Sequence, residues 1–478
     1  MPKSTPTRRY NLTEGSVGLK LLALTLPMVW GVFSVIAFNL ADTYFVGQLG
    51  TAQLAAMSFT FPVVMVMGSL AIGLGTGAAS VISRAIGEGD HDRVQRLTTN
   101  SLTLSLLIVG IFILIGLATI DPLFKLLGAG SEVMPYIHDY MQIWYPGMIC
   151  LVVPMVGNSA IRAAGDTKIP SLIMTFAAIV NIALDPVFIF GWAFIPSWGL
   201  KGAALATVIA RSLTLIASLI VLHFRERMIL WSLTCLRNCW DCWKEILYVG
   251  LPAASTNMIT PISLGIITSL LATYSPEVVA GFGISSRVES FALIAFMALS
   301  ATIGPFVGQN WGAKLYGRVH RSLHLSYLFC IGFGIFIAVI LSATSAQIIT
   351  LFDTNSEVVN TATRYLAIVP ISYGTYGILI VANAAFNALG KPFPAVVLTL
   401  SRMVVLYVPL AYLGSWLFGL NGIFAAACIS NLIVGLIAII WTRRLCSLKP
   451  DQKSDSSMIS PSKQPPLNLS DVKDKTPR

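Results

Sequence analysis

Twelve apolar runs, each long enough to cross a lipid bilayer as a helix, leave this chain almost no choice of fold. They cover residues 19–46, 53–82, 97–120, 135–161, 170–195, 202–223, 245–272, 278–306, 322–343, 362–388, 394–418 and 421–442. A helical span needs about 20 apolar residues, and in hydrocarbon its backbone groups must bond within the segment. The runs are continuous and lack an alternation of period two, so an outer-membrane β-barrel is excluded. Charged residues make up only 11% of the 478 positions; a soluble domain carries about 25%.

The few charges sort by loop. The N-terminus and alternate loops hold 20 Lys and Arg residues, from Lys3 to Lys449. The opposite loops hold three: Lys125, Lys201 and Arg364. This asymmetry predicts both termini in the cytoplasm. It also accounts for the net charge of +10 without nucleic acid as a partner. The polar, basic start MPKSTPTRRYNLTEGS is followed by a run too long for the core of a cleavable signal peptide.

The two halves repeat each other. GEGDHDRV (87–94) matches GAKLYGRV (312–319) at an offset of 225. The same offset pairs Pro27 with Pro252, Asn158 with Asn383, and Gly165 with Gly390. GLKGAALA (199–206) matches GLNGIFAA (419–426), where the offset slips to 220. Each repeat holds six spans, an even number, so both enter the membrane in the same sense. The expectation is an all-α membrane protein of twelve transmembrane helices, in two six-helix bundles related by a pseudo-two-fold axis along the membrane normal. Its parts are a cytosolic segment at 1–18, bundles at 19–223 and 245–444, a cytosolic linker at 224–244 and a disordered tail at 445–478. Two such bundles enclose a central cleft, the plan of an alternating-access transporter.

Carboxylates inside spans are costly and face a protein or water-lined cavity. Asp42 lies near the end of the first span, Asp185 in the fifth and Glu289 in the eighth. The repeat partners of Asp42, Asn181 and Asp185 are Ile267, Val404 and Val408, so the N-terminal half holds a polar set its twin lacks. Asn181 and Asp185 are four apart and share a helix face. Asn158, Tyr140 and Thr207 lie on neighbouring spans where they can join them. Oxygens collected this way suit reversible protonation, binding of Na⁺, or attraction of a cationic substrate. The alternatives are a helix–helix hydrogen-bond staple and, for Asp185, an ion pair with Arg211. Glu289 and Arg287 form a second tier of intramembrane charge, paired locally or acting as another proton site. Arg402 is a further intramembrane cation that can offset an acid. Pro27 removes a helix hydrogen bond and permits a hinge in the helix that carries Asp42.

Enzyme signatures do not compete. The sequence has no phosphate-binding P-loop, no HExxH and no GxSxG. GLGTGAAS (73–80) falls inside a span and reads as close helix packing. Cys235, Cys239 and Cys242 cluster in the linker without a fourth metal ligand, which favours a plain linker helix over a metal site. No cofactor is expected.

LADTYFVGQLGTAQLAA, ISRAIGEGD, GNSAIRAAGDTKIP, NIALDPVFIFG and GPFVGQNWGA recur in order from about residue 15 to 445. With these segments the chain resembles the multidrug and toxic compound extrusion (MATE) family. The acid of the first span and N-x-x-x-D-P of the fifth are similar to its DinF-type prokaryotic branch. The resemblance implies a secondary antiporter in a prokaryotic inner membrane, working as a monomer. It would export cationic or amphipathic drugs in exchange for H⁺ or Na⁺. It places the cation site on Asp42, Asn181, Asp185 and Thr207, with Asn158 and Tyr140 in a supporting network and bending at Pro27. Two rivals stand beside it. A flippase of similar plan for a lipid-linked anion would want a strongly cationic cavity, which the acidic N-terminal cluster opposes. A membrane-embedded enzyme would need a convergent catalytic set.

Overall fold

The computed structural model describes residues 12–192, 196–230 and 239–447. Among these, eleven helices are long and apolar enough to span a membrane. The pair Pro276–Ala292 and Ile294–Gly312, bent by 46° at its break, supplies a twelfth crossing when counted as one span. The N-terminal half contains α1 (Val17–Gly47), α2 (Thr51–Glu88), α3 (His91–Ala118), α4 (Met134–Ala163), α5 (Lys168–Phe190) and α6 (Leu200–Arg225). The C-terminal half contains α7 (Cys239–Leu271), the bent pair α8, α9 (Tyr316–Thr350), α10 (Ser356–Ala388), α11 (Phe393–Phe418) and α12 (Leu420–Leu445). The twelve runs read from sequence each correspond to one of these. Most bounds shift by a few residues; the fifth span stops at Phe190, and α7 includes Cys239, inside the expected linker. Cys239 and Cys242 therefore sit on a spanning helix. Cys235, most of the 1–18 segment and the tail beyond residue 447 lie outside the described residues.

The repeat is visible in the backbone. Gly165 and Gly390 both take a left-handed φ, 97° and 70°, in the turns after α4 and α10. Such a φ is free for glycine and strained for other residues. The halves also meet through a reciprocal contact. Gly87 of α2 packs on the Gln309 carbonyl of α8, and Gly312 of α8 packs on the Arg84 carbonyl of α2. Each pair is the other moved by 225 positions, as a two-fold axis between the halves requires.

Small residues make that seam. A Cβ on Gly73 would lie 2.5 Å from the Gly250 carbonyl of α7, and one on Gly77 would strike the Ile246 carbonyl. The Gly-rich stretch of α2 thus lets two backbones approach closely. Hydrogen bonds between the halves gather on the side of the membrane where α1 begins and α12 ends. Gln309 donates to the Ala163 carbonyl at 2.8 Å, and Arg318 donates to the Gly15 and Leu12 carbonyls at 2.7 and 3.0 Å. Leu12, Val17, Leu21 and Leu24 are buried in the core of the C-terminal half. The start of α1 therefore packs against the C-terminal half.

Pro27 lies inside an unbroken α1. Ser171 at the start of α5 donates to the Pro27 carbonyl, and Thr167 donates to the Leu24 carbonyl at 2.9 Å. Both bonds fasten the start of α5 to α1 beside the helix bond that Pro27 cannot make. They also tie any bending of α1 to α5, the helix that carries Asp185.

Candidate functional site

Two polar sites emerge, and they are separate. The first lies within the N-terminal half, toward the side away from the termini. Asp42 is five residues from the end of α1, Asp185 five from the end of α5, and Tyr140 and Thr207 stand in the second turns of α4 and α6. Asn181 and Asp185 are fully buried and Tyr140 nearly so. The i, i+4 spacing aligns Asn181 with Asp185 on α5. The Asn181 amide nitrogen donates to Asp185 Oδ1 at 3.3 Å and to Thr207 Oγ1 at 3.4 Å. Turned over, the same carboxamide donates to Asp185 Oδ2 at 2.9 Å and accepts from the Thr207 N–H at 3.3 Å. Asp42 is half-buried and lies within electrostatic range of Asp185 and Tyr140. Its carboxyl has no hydrogen bond or ion pair among the described residues. Five of the residues expected in one cluster are thus together.

Asn158 is not among them. It lines the second site, a central cavity of about 720 Å³ between the halves. Arg211 does not pair with Asp185. Its guanidinium lies over the Phe38 ring at 5.2 Å and faces this cavity. Arg402 also lines it, 4.4 Å from the Tyr376 ring, with one nitrogen bonded to Asn431 at 3.0 Å and its Nε without a partner. Arg162 completes the set, donating to Ser159 Oγ at 2.8 Å. None of the three has a carboxylate in ion-pair distance among the described residues, and none of the described lining residues is Asp or Glu.

The cavity is therefore cationic, while the acids lie elsewhere. The acidic cluster therefore does not set the charge of the cavity. Arg162 stands next to the end of α4, where position alone makes it a loop charge; its side chain lies on the wall of the cavity. The sequence signal was the repeat itself: Asn158 and Arg162 on α4 match Asn383 and Asn387 on α10, all four on the cavity.

The second-tier charges separate too. Glu289 accepts from Tyr365 Oη at 2.6 Å and lies within electrostatic range of Arg402. Arg287 is exposed and unpaired with Glu289. No group of three metal-ligating side chains occurs among the described residues.

Comparison with known proteins agrees with the duplicated plan. A family model described as MatE matches the chain twice, over residues 27–187 and 252–413. The chain is similar to a Shewanella oneidensis protein named FAD transporter, 37% identical over 438 residues, which cover 92% of this chain and 97% of that one. It is similar to the multidrug export protein MepA of Staphylococcus saprophyticus, 24% identical over 90% of this chain and 94% of that one. Among solved structures, an Asp-to-Asn mutant of the Vibrio cholerae MATE transporter VcmN superposes with a TM-score of 0.87 at 30% identity, covering 91% of this chain and 98% of that one.

Proposed function

This chain belongs to the MatE family of multidrug efflux transporters, and from that premise we propose that it exports amphipathic aromatic anions, with FAD as the type, in exchange for H⁺ or Na⁺. The family transports its substrates without converting them chemically. The observation that carries the cargo reading is the trio Arg162, Arg211 and Arg402 on a cavity wall with no acid. A guanidinium in the middle of a span, as at Arg211 and Arg402, costs about 2.5–3.5 kcal/mol by insertion scales. Three with no carboxylate in ion-pair distance suit an anion that arrives with the cargo. Arginine binds phosphate through paired N–H groups. The Shewanella relative's name supports a phosphate-bearing aromatic cargo, and the multidrug names support a broader amphipathic range.

The cation site is the cluster of Asp42, Asn181, Asp185 and Thr207, with Tyr140 beside it. Two carboxylates removed from water repel each other, so uptake of a proton or of Na⁺ relieves the pair. In the proposed cycle the cation binds from outside and cargo affinity falls. The halves then rock, the cation leaves to the cytoplasm and new cargo enters. This exchange works only if the two states bind each ligand differently. Pro27 and its ties to α5 give α1 a route to respond. The cytoplasmic membrane, cytoplasmic termini and a monomeric unit belong to the same proposal.

The sign of the cargo charge has a measurable consequence. A dianion leaving as one H⁺ enters moves three charges down an inside-negative potential, about 7 kcal/mol per 100 mV at about 2.3 kcal/mol per charge. A monovalent cation exchanged for H⁺ moves none. Efflux of FAD from proteoliposomes is therefore expected to quicken steeply when an inside-negative potential is imposed at fixed pH and Na⁺ gradients. Efflux indifferent to the potential would remove the anionic reading.

A further inference from the structure

The cavity holds polar groups that an anion does not satisfy. Asn158 and Asn387 are 7% and 8% exposed, and both present a buried carbonyl oxygen with no hydrogen-bond donor. Asn383, in the same helix as Asn387 and four residues before it, shares its face. The Asn383 amide nitrogen donates to Thr399 Oγ1 at 3.1 Å, and its buried carbonyl oxygen is likewise without a donor. All three line the cavity. Asn158 and Asn383 are repeat partners, so each half contributes an amide from the equivalent position.

Phosphate offers only acceptors and is matched by the arginines. The orphaned carbonyl oxygens need donors. A carboxamide presents an acceptor beside a donor, which pairs edge-on with a ring that presents the reverse. A metal cation would also be drawn to carbonyl oxygens, but three guanidiniums in the same cavity oppose it. We infer that Asn158, Asn383 and Asn387 read the hydrogen-bonding edge of a planar nitrogen heterocycle, one with a ring N–H beside a carbonyl or a ring nitrogen, as in flavins and nucleobases. The inference rests on the central cavity being the cargo site. It adds that the cargo is selected by its ring as well as by its charge.

Riboflavin and 3-methylriboflavin isolate the ring. Both are uncharged, and they differ by one ring N–H replaced with N–CH₃. Their binding to the full-length protein in nanodiscs can be followed by flavin fluorescence. Native protein is expected to bind riboflavin at least about tenfold more tightly than the methylated ring, the cost of leaving a buried polar group unpaired. Asn158→Leu, Asn383→Leu and Asn387→Leu proteins are expected to lose that preference by weakening riboflavin alone. Equal affinity for the two flavins in native protein, absence of saturable riboflavin binding, or a preference kept in all three variants would overturn the inference. Failure of the anionic reading looks different: FAD would bind no better than riboflavin while the N–H preference persisted.

Discussion

Asp42→Asn protein, folded and inserted, is expected to lose the whole of its gradient-driven efflux. The carboxylate sits within range of Asp185 and Tyr140 and makes no bond to protein that would define it as a staple. An amide keeps its shape but carries no exchangeable charge, so neither H⁺ nor Na⁺ is taken up there as before. Asp185→Asn is expected to act likewise, with an added change: Asn181, which bonds Asp185 and Thr207, would face a neutral amide in place of an ionisable group. Efflux measured with pH and Na⁺ gradients varied one at a time distinguishes the two coupling ions. Equal rates with and without the gradient in both variants are the expected outcome. A native gradient response in both would assign the cluster to structure alone.

The second large effect belongs to the arginines. Arg402→Gln and Arg211→Gln are each expected to weaken FAD binding by roughly ten- to a hundredfold, the worth of about 1.5–3 kcal/mol for a hydrogen bond to a charged group. The effect should shrink for riboflavin, which lacks the phosphates. Arg402 is the more informative position. Its guanidinium is held by Asn431 and lies over Tyr376, with Nε buried and without a hydrogen-bond partner. A glutamine there keeps a polar group but no charge. Binding by isothermal calorimetry at two salt concentrations reads the loss directly.

The span pattern and the repeat were legible because both are set by local chemistry. Apolar length fixes a span wherever it packs, and Gly165 and Gly390 mark equivalent turns that only glycine enters freely. The Asn181–Asp185 face was legible for the same reason, since helix geometry alone aligns positions four apart. What the sequence does not carry is the rotation of each helix against its neighbours. That rotation turns Asn158 and Arg211 toward the central cavity and Asp185 away from it. Intramembrane acids were easily counted, but the polarity of the cargo space is written by which charges face it. Arg162 illustrates the point: one residue from a helix end, it is a loop charge by position and a wall residue in the fold.

The central cavity carries the charge opposite to that of the Asp42–Asp185 cluster. The most direct test is equilibrium binding of FAD and of ethidium, an aromatic cation, to the purified full-length protein in nanodiscs. The expected result is saturable FAD binding that weakens with salt and that ethidium does not displace. Saturable ethidium binding that FAD cannot displace, with no binding of FAD itself, would contradict it.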